Sequence, residues 1–389
     1  MPPTFDGRVA GPFGEFTSTS TTMMNGGHSG GQTVSNTYLT NTTGDLKATA
    51  HIGTSASTQI SVNADGSRES TATSTSGNTI SVSRNLEGSI TSRAYVSEGT
   101  ADGGVSTTTQ IAASGESQII ARAGDGTTLT QSIGQDGNTS TLVVSPNGVQ
   151  VSNQILGTVV NTVQENVVVT INHDGTVGVV IADEGVLKVN TDGTYQESEN
   201  RSLATQASAD GKSNTISFNE GSTVTIYVDG SIAVNTSEGF TVNSGINGSA
   251  VVTSPDGICV TTTPSGQIVL AAGDGTTFVA AVDGYINVNT VQGHSLSVTP
   301  SGTITATDSD GCSLTNTSDG VIALAQSDGN TYLQSADGSF TISNQAGATF
   351  TDLANGSSAI SIPGGTTFSV DPLGAVSSNA PGASYVNLP

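Results

Sequence analysis

The sequence predicts an all-β chain: a long, repetitive antiparallel β-meander with an elongated outline. Three observations predict it: glycine recurs at a fixed interval, turn formers precede it, and apolar residues keep one numerical parity across successive turns. Composition agrees. The chain has 49 Gly, no Trp and only 4% aromatic residues, and Thr, Ser, Asn and Val, which favour strands and turns over helices, dominate the rest.

The repeat is clearest from Gly221 to Gly374, where every ninth residue is Gly, eighteen in succession. Gly230, Gly257, Gly266, Gly302, Gly311, Gly320, Gly329 and Gly338 are the turn glycines on which the reading rests. In Pro255-Asp256-Gly257 and Pro264-Ser265-Gly266, Pro stands two residues before the Gly and a small polar residue stands between them. That order fits a three-residue hairpin loop, a type I turn closed by a left-handed residue in a G1 bulge. Pro presets φ at the first position, Asp or Ser suits the second, and Gly alone takes φ > 0 cheaply at the third.

Three-residue loops pair the residue three before each Gly with the residue one after it, so partners always differ by an even number. Traced on that rule, one row runs Val234, Val242, Val252, Val260, Leu270, Phe278, Val288, Leu296, Ala306, Leu314, Leu324, Tyr332, Ile342, Phe350, Ile360 and Phe368. Ile232, Ile268, Ile286, Val298, Ile304, Ile322 and Phe340 lie beside it. The odd positions carry Thr, Ser, Asn and Ala, as in Thr261, Thr277, Ser297, Thr305 and Thr341. One face is therefore apolar and the other small and polar. A two-stranded β-solenoid with 18-residue coils is the alternative, because the apolar pattern also repeats at eighteen; the Pro-Asp-Gly order and the mirrored pairing favour hairpins.

Upstream, Gly66, Gly77, Gly88 and Gly99, then Gly104, Gly115, Gly126, Gly137 and Gly148, are spaced by eleven, which lengthens each strand from six residues to eight. The phase slips near Gly99 and Gly104 and again between Gly193 and Gly221, and these are candidate joints. The expected organisation is an extended N-terminal arm over 1–60, an eleven-residue repeat region over 61–156, an irregular transition over 157–220, the nine-residue region over 221–376 and an extended tail over 377–389.

A meander of about seventeen strands would run about 80 Å, and its apolar band would expose on the order of 800 Å², more than a soluble monomer leaves bare. The band therefore calls for a cover: a second sheet of the same chain, further copies, or a groove on a larger assembly.

The charge balance, 9 Lys+Arg against 32 Asp+Glu for a formal net charge of -23, argues against nucleic acid and anionic membranes as partners. No long apolar run or leader pattern is present, so neither membrane insertion nor a secretory leader is expected. Cys259 and Cys312 stand six strands apart, roughly 29 Å at about 4.8 Å per strand, which predicts two unpaired, inert thiols.

The chemistry-bearing motifs read mostly as structural. Gly27-His28-Ser29-Gly30-Gly31 has the letters of a nucleophile elbow without the strand and helix that an elbow needs. His51, His173 and His294 follow no ligand spacing and are read as exposed decoration. Asp308-Ser309-Asp310-Gly311 suggests a calcium loop but lacks the other ligands of one, so no catalytic, cofactor or metal site is assigned, with weak surface Ca2+ binding as the only allowance.

The functional expectation is a non-enzymatic fibre, filament or spike subunit, extracellular or on a virion, assembling as a homo-oligomer through the apolar face and the N-terminal arm. An intracellular β-repeat scaffold along a cytoskeletal or ciliary assembly is the alternative, and a carbohydrate- or ice-binding module a third.

Overall fold

The structure is a computed structural model that describes residues 4–10, 16–24, 32–40, 46–52, 56–74, 76–97, 104–154, 157–162, 167–181, 185–197, 203–373 and 375–379. All secondary structure among them is β apart from turns, and it forms two long antiparallel meanders in which consecutive strands pair. A solenoid, which stacks strands in parallel, is excluded by that pairing.

The loops explain the register. At the loop before Phe240, Gly239 donates its N–H to Thr236 O at 3.0 Å, Thr236 donates to Phe240 O at 2.9 Å, and Gly239 has φ +90°. This is a three-residue loop with a left-handed closing residue. The same two bonds close the loops at Gly230, Gly257, Gly266, Gly302, Gly311, Gly320, Gly329 and Gly338, with φ from +81° to +91°. Val234 consequently lies opposite Val242, Val242 opposite Val252, and Leu324 opposite Tyr332. In the eleven-residue region the loop bonds bracket residues 67–74, eight residues against the six of residues 240–245.

Many loops carry an Asp at the second position whose carboxylate caps the turn. Asp174 accepts from Thr176 N–H at 2.9 Å and Thr176 Oγ1 at 2.7 Å, Asp192 from Thr194 at 2.9 and 2.6 Å, and Asp229 from Ser231 at 3.0 and 2.7 Å. The hydroxyl bond first, then the backbone bond, holds each of these carboxyls below its ordinary value of 3.8. Being depressed in the folded state, they contribute stability that is present above the unfolded value and lost as pH falls through the folded one. In an NMR titration of the carboxyl carbons, Asp174, Asp192 and Asp229 are expected to have midpoints below 3.8. Midpoints at or above 3.8 would show that the caps do not persist in solution.

The strands group into two compact units that are not consecutive in sequence: residues 1–97, 108–113 and 293–389 form one, and residues 98–107 and 114–292 the other. In the first unit, strands Arg68–Thr73, Thr79–Arg84 and Ile90–Val96 face strands Ile304–Thr307, Ser313–Asn316 and Ile322–Ala325. Ser70 Oγ donates to Asn316 Oδ1 at 3.0 Å across the gap, Ser92 Oγ donates to Gly302 O at 2.9 Å, and Arg68 Nη2 stands 3.7 Å from Asp319 Oδ1. In the second unit, the layer holding strands Thr128–Ile133 and Gly157–Thr162 meets the layer holding strands Cys259–Thr262 and Thr277–Ala280. There Thr158 Oγ1 and Thr262 Oγ1 share a hydrogen bond of 3.1 Å, and Gln131 Nε2 donates to Ala281 O at 2.6 Å. Each unit is thus a two-layer β-sandwich, and the boundaries drawn from glycine period do not coincide with the units. Period is a property of neighbouring strands, whereas a unit is made by strands far apart in sequence that face one another.

Two further expectations are corrected. Residues 4–10, 16–24, 32–40, 46–52 and 56–62 are not an extended arm but strands of the first meander, with Phe5 opposite Ser20, Ser18 opposite Tyr38 and Tyr38 opposite Ala48. Their β-rich Thr, Ser, Val and Tyr content drives pairing, but their connections share no glycine spacing, which left the sequence without a turn signal. In the irregular region, Asn153 lies opposite Thr158 and Val160 opposite Val169, odd sums that require even-length connections. Loops that are not three residues long therefore occur there and flip the inward parity twice. Val169 pairs with Val179, Val179 with Leu187, and Val177 with Val189. The slip between Gly193 and Gly221 is where the first meander ends at Tyr195–Glu197 and the second begins at Ala204–Ala207.

Candidate functional site

The even-numbered row lies in the interior of the sandwiches. Val234, Val242, Val252, Val260, Leu270, Phe278, Val288, Leu296, Ala306, Leu314, Leu324, Tyr332, Ile342 and Phe350 are each at most 3% exposed. Ile360 is half-buried and Phe368 is 40% exposed. The chain's own first meander covers the row, so an assembly face built from it is corrected: from Val234 to Phe350 it is not available to another copy. The eight turn glycines stand on the loops at the sheet margins.

On the outer face, threonine hydroxyls are tied to one another. Thr215 pairs with Thr225 at 3.0 Å, Thr305 with Thr315 at 3.0 Å and Thr341 with Thr351 at 3.3 Å. Tyr285, an aromatic residue at an odd position, is 45% exposed.

Near one margin of the first unit's second layer, the inward face changes from apolar to polar. The pairs Ser295–Thr307 and Ser313–Ala325 end their ladders, and one residue beyond them stand His294 beside Asp308 and Cys312 beside Gln326, all on even positions. Asp308 and Cys312 flank one loop, and Asp308 N–H donates to Cys312 O at 2.7 Å. Asp308 is only 6% exposed, and its carboxylate accepts from Ser76 Oγ and Asn78 Nδ2 of the facing layer. His294 Nδ1 stands 3.8 Å from Asp308 Oδ1 and accepts the Ser309 N–H at 3.3 Å. Asp310 caps the turn by accepting from Cys312 N–H at 3.3 Å. Asp308, Asp310 and Cys312 each bring one potential ligand atom within 4.8 Å of the others.

Burial pushes the Cys312 thiol up; a backbone hydrogen bond with Ser327 pulls the other way, and the charges of Asp310, Asp308 and Asp328 add to the rise. Tyr332, 2% exposed with its hydroxyl 3.4 Å from Gln326 Oε1, is pushed up to about 12, first by burial and then by Asp328 and Cys312. A raised folded value stabilises the fold fully below the unfolded value of 10 and ceases to do so as pH rises through about 12. Absorbance titration is expected to show one phenol ionising near pH 12, together with loss of β circular dichroism, and Tyr332→Phe should abolish that step. A step that survives the substitution would place the late phenol elsewhere.

No protein-family model matches the chain, and no curated protein matches it. Among solved structures, the TCP10 domain of Danio rerio CPAP, bound to a STIL peptide, aligns with 20% identity over 45% of this chain and 97% of that one, at a TM-score of 0.34. The Drosophila melanogaster SAS-4 TCP domain, in complex with a proline-rich motif of Ana2, aligns with 16% identity over 34% and 89%, at 0.30. A likeness of this degree carries no functional argument.

Of the sequence motifs, Gly27-His28-Ser29-Gly30-Gly31 and residues 380–389 of the tail lie outside the described residues. His51 and His173 are exposed as expected. His294 is not exposed decoration, since its side chain is 14% exposed and turned to Asp308. Cys259 is half-buried and Cys312 buried, both free. A signal for the cluster was present: parity puts His294, Asp308 and Cys312 on the inward face, and Asp308 and Asp352 are the two carboxylates at even positions of the nine-residue array that do not directly precede a repeat Gly. No helix among the described residues is long and apolar enough to cross a membrane.

Proposed function

We propose that the chain is a non-enzymatic β-repeat scaffold of the cell interior, an elongated sheet element along a cytoskeletal or ciliary assembly. The observation that carries this reading is the burial of the row from Val234 to Phe350 against the chain's own first meander. A fibre or spike subunit was motivated by an uncovered apolar band and a free arm; the band is covered, and residues 4–62 contribute strands to the same fold. What remains outward is an acidic surface of Thr, Ser and Asn with scattered apolar side chains such as Val251, Val269 and Leu333, which we read as suited to contacts with a different partner.

Light scattering on the purified chain tests this, with a species of 38.7 kDa expected. A trimer or polymer would return the fibre reading. A tagged copy in cells is expected on a filamentous or basal structure, and secretion or display at the surface would end the scaffold reading.

A further inference from the structure

The margin of the first unit holds three groups, an imidazole, a carboxylate and a thiol, that the repeat does not require. The standard loop needs a turn former before Gly and nothing in particular three before or one after it; those two places hold Thr236 and Phe240 at one loop and Thr317 and Val321 at another. At Gly311 they hold Asp308 and Cys312, and the residue just before the strand opposite is His294. Asp310 is the ordinary turn carboxylate of the same loop, and its single bond to Cys312 N–H leaves most of its lone pairs open.

We propose that His294, Asp308, Asp310 and Cys312 form a binding site for a borderline-soft divalent metal ion of the zinc type. Three of the ligand atoms already lie within 4.8 Å of one another, and His294 Nδ1 is 3.8 Å from Asp308 Oδ1. Nδ1 accepts the Ser309 N–H on the side of the loop that bears the other ligands, and a metal bond to Nδ1 would replace that hydrogen bond. Imidazole and thiolate select zinc over calcium, which takes six to eight oxygens, so the calcium-loop likeness of Asp308-Ser309-Asp310-Gly311 gives the wrong metal class.

Charge points the same way. Asp308 is buried, and among the described residues no Lys or Arg forms an ion pair with Asp308, Asp310 or Asp328. A bound dication would take Cys312 as the thiolate, releasing its proton on binding. Ser76 Oγ and Asn78 Nδ2, donating to Asp308 from the facing layer, would fix the carboxylate as supporting donors do around a metal.

The test uses the full chain and cobalt(II) as a spectroscopic probe. Addition of Co2+ is expected to give a sulfur-to-metal charge-transfer band saturating at about one ion per chain, removed by Zn2+ but not by Ca2+. C312S should abolish the band and C259S should leave it unchanged. Asp308→Asn and Asp310→Asn should each weaken cobalt binding at least about tenfold. Asp310 is exposed, so its variant keeps the test valid should Asp308→Asn fail to fold. The proposal is overturned if the wild-type chain shows no thiolate band, if the band survives C312S or vanishes in C259S, or if Ca2+ displaces the probe.

Discussion

Gly230→Ala is expected to destabilise its unit by at least about 3 kcal/mol, and Gly257→Ala by about 1 kcal/mol. Both glycines close loops of the same type, with φ +86° and +91°, so both variants carry the cost of an L side chain at positive φ, roughly 1–2 kcal/mol. They differ in surroundings. A Cβ on Gly230 would stand 2.2 Å from Thr191 O and 2.9 Å from Thr191 C, whereas one on Gly257 meets nothing within 4 Å. A backbone carbonyl cannot swing aside as a side chain can, so relief at Gly230 requires the Thr191 loop to move. The measurement is the urea midpoint at unchanged slope. Equal losses in the two variants would mean that the loops carrying Gly230 and Thr191 do not touch in solution.

That contrast marks how far sequence reasoning reaches. The loop at Gly230 was legible because a type I turn with a left-handed third residue is a local device, written in consecutive residues such as Asp229 and Gly230. Register followed from it, since a fixed loop length fixes parity, and parity fixes which side chains face inward. The approach of Thr191 to Gly230 was not legible, nor was that of Asn316 to Ser70, 246 residues away. No periodic pattern specifies which strand of one layer lies over which strand of the other.

The strands at 4–10, 16–24 and 32–40 were missed for the opposite reason. Their connections differ in length, so a search for period found nothing, although segments such as Thr33-Val34-Ser35-Asn36-Thr37-Tyr38 have good β-propensity. The Asp308 cluster lay between these cases. Parity placed His294, Asp308 and Cys312 on the inward face, but treating Asp308-Ser309-Asp310-Gly311 as a loop motif hid that Asp308, the residue after strand Ile304–Thr307, is still buried.

The second large effect separates two phenylalanines of one row. Phe350→Ala is expected to cost about 3–5 kcal/mol and Phe368→Ala less than about 2 kcal/mol. Pairing alone treats them as equivalent, because Ile360 lies opposite both. Burial does not, since Phe350 is 3% exposed and Phe368 is 40% exposed. Deleting a ring from a closed interior forfeits transfer free energy and leaves a cavity, whereas deleting one already partly in water forfeits only the covered part. The unfolding transition of the unit containing both residues, followed in urea for each variant, reads the difference directly. If the two losses match while light scattering gives a monomer, the covering layer extends over Phe368 and the row is closed along its whole length. If they match only in a larger species, another copy covers that end, and the apolar row would serve assembly there after all.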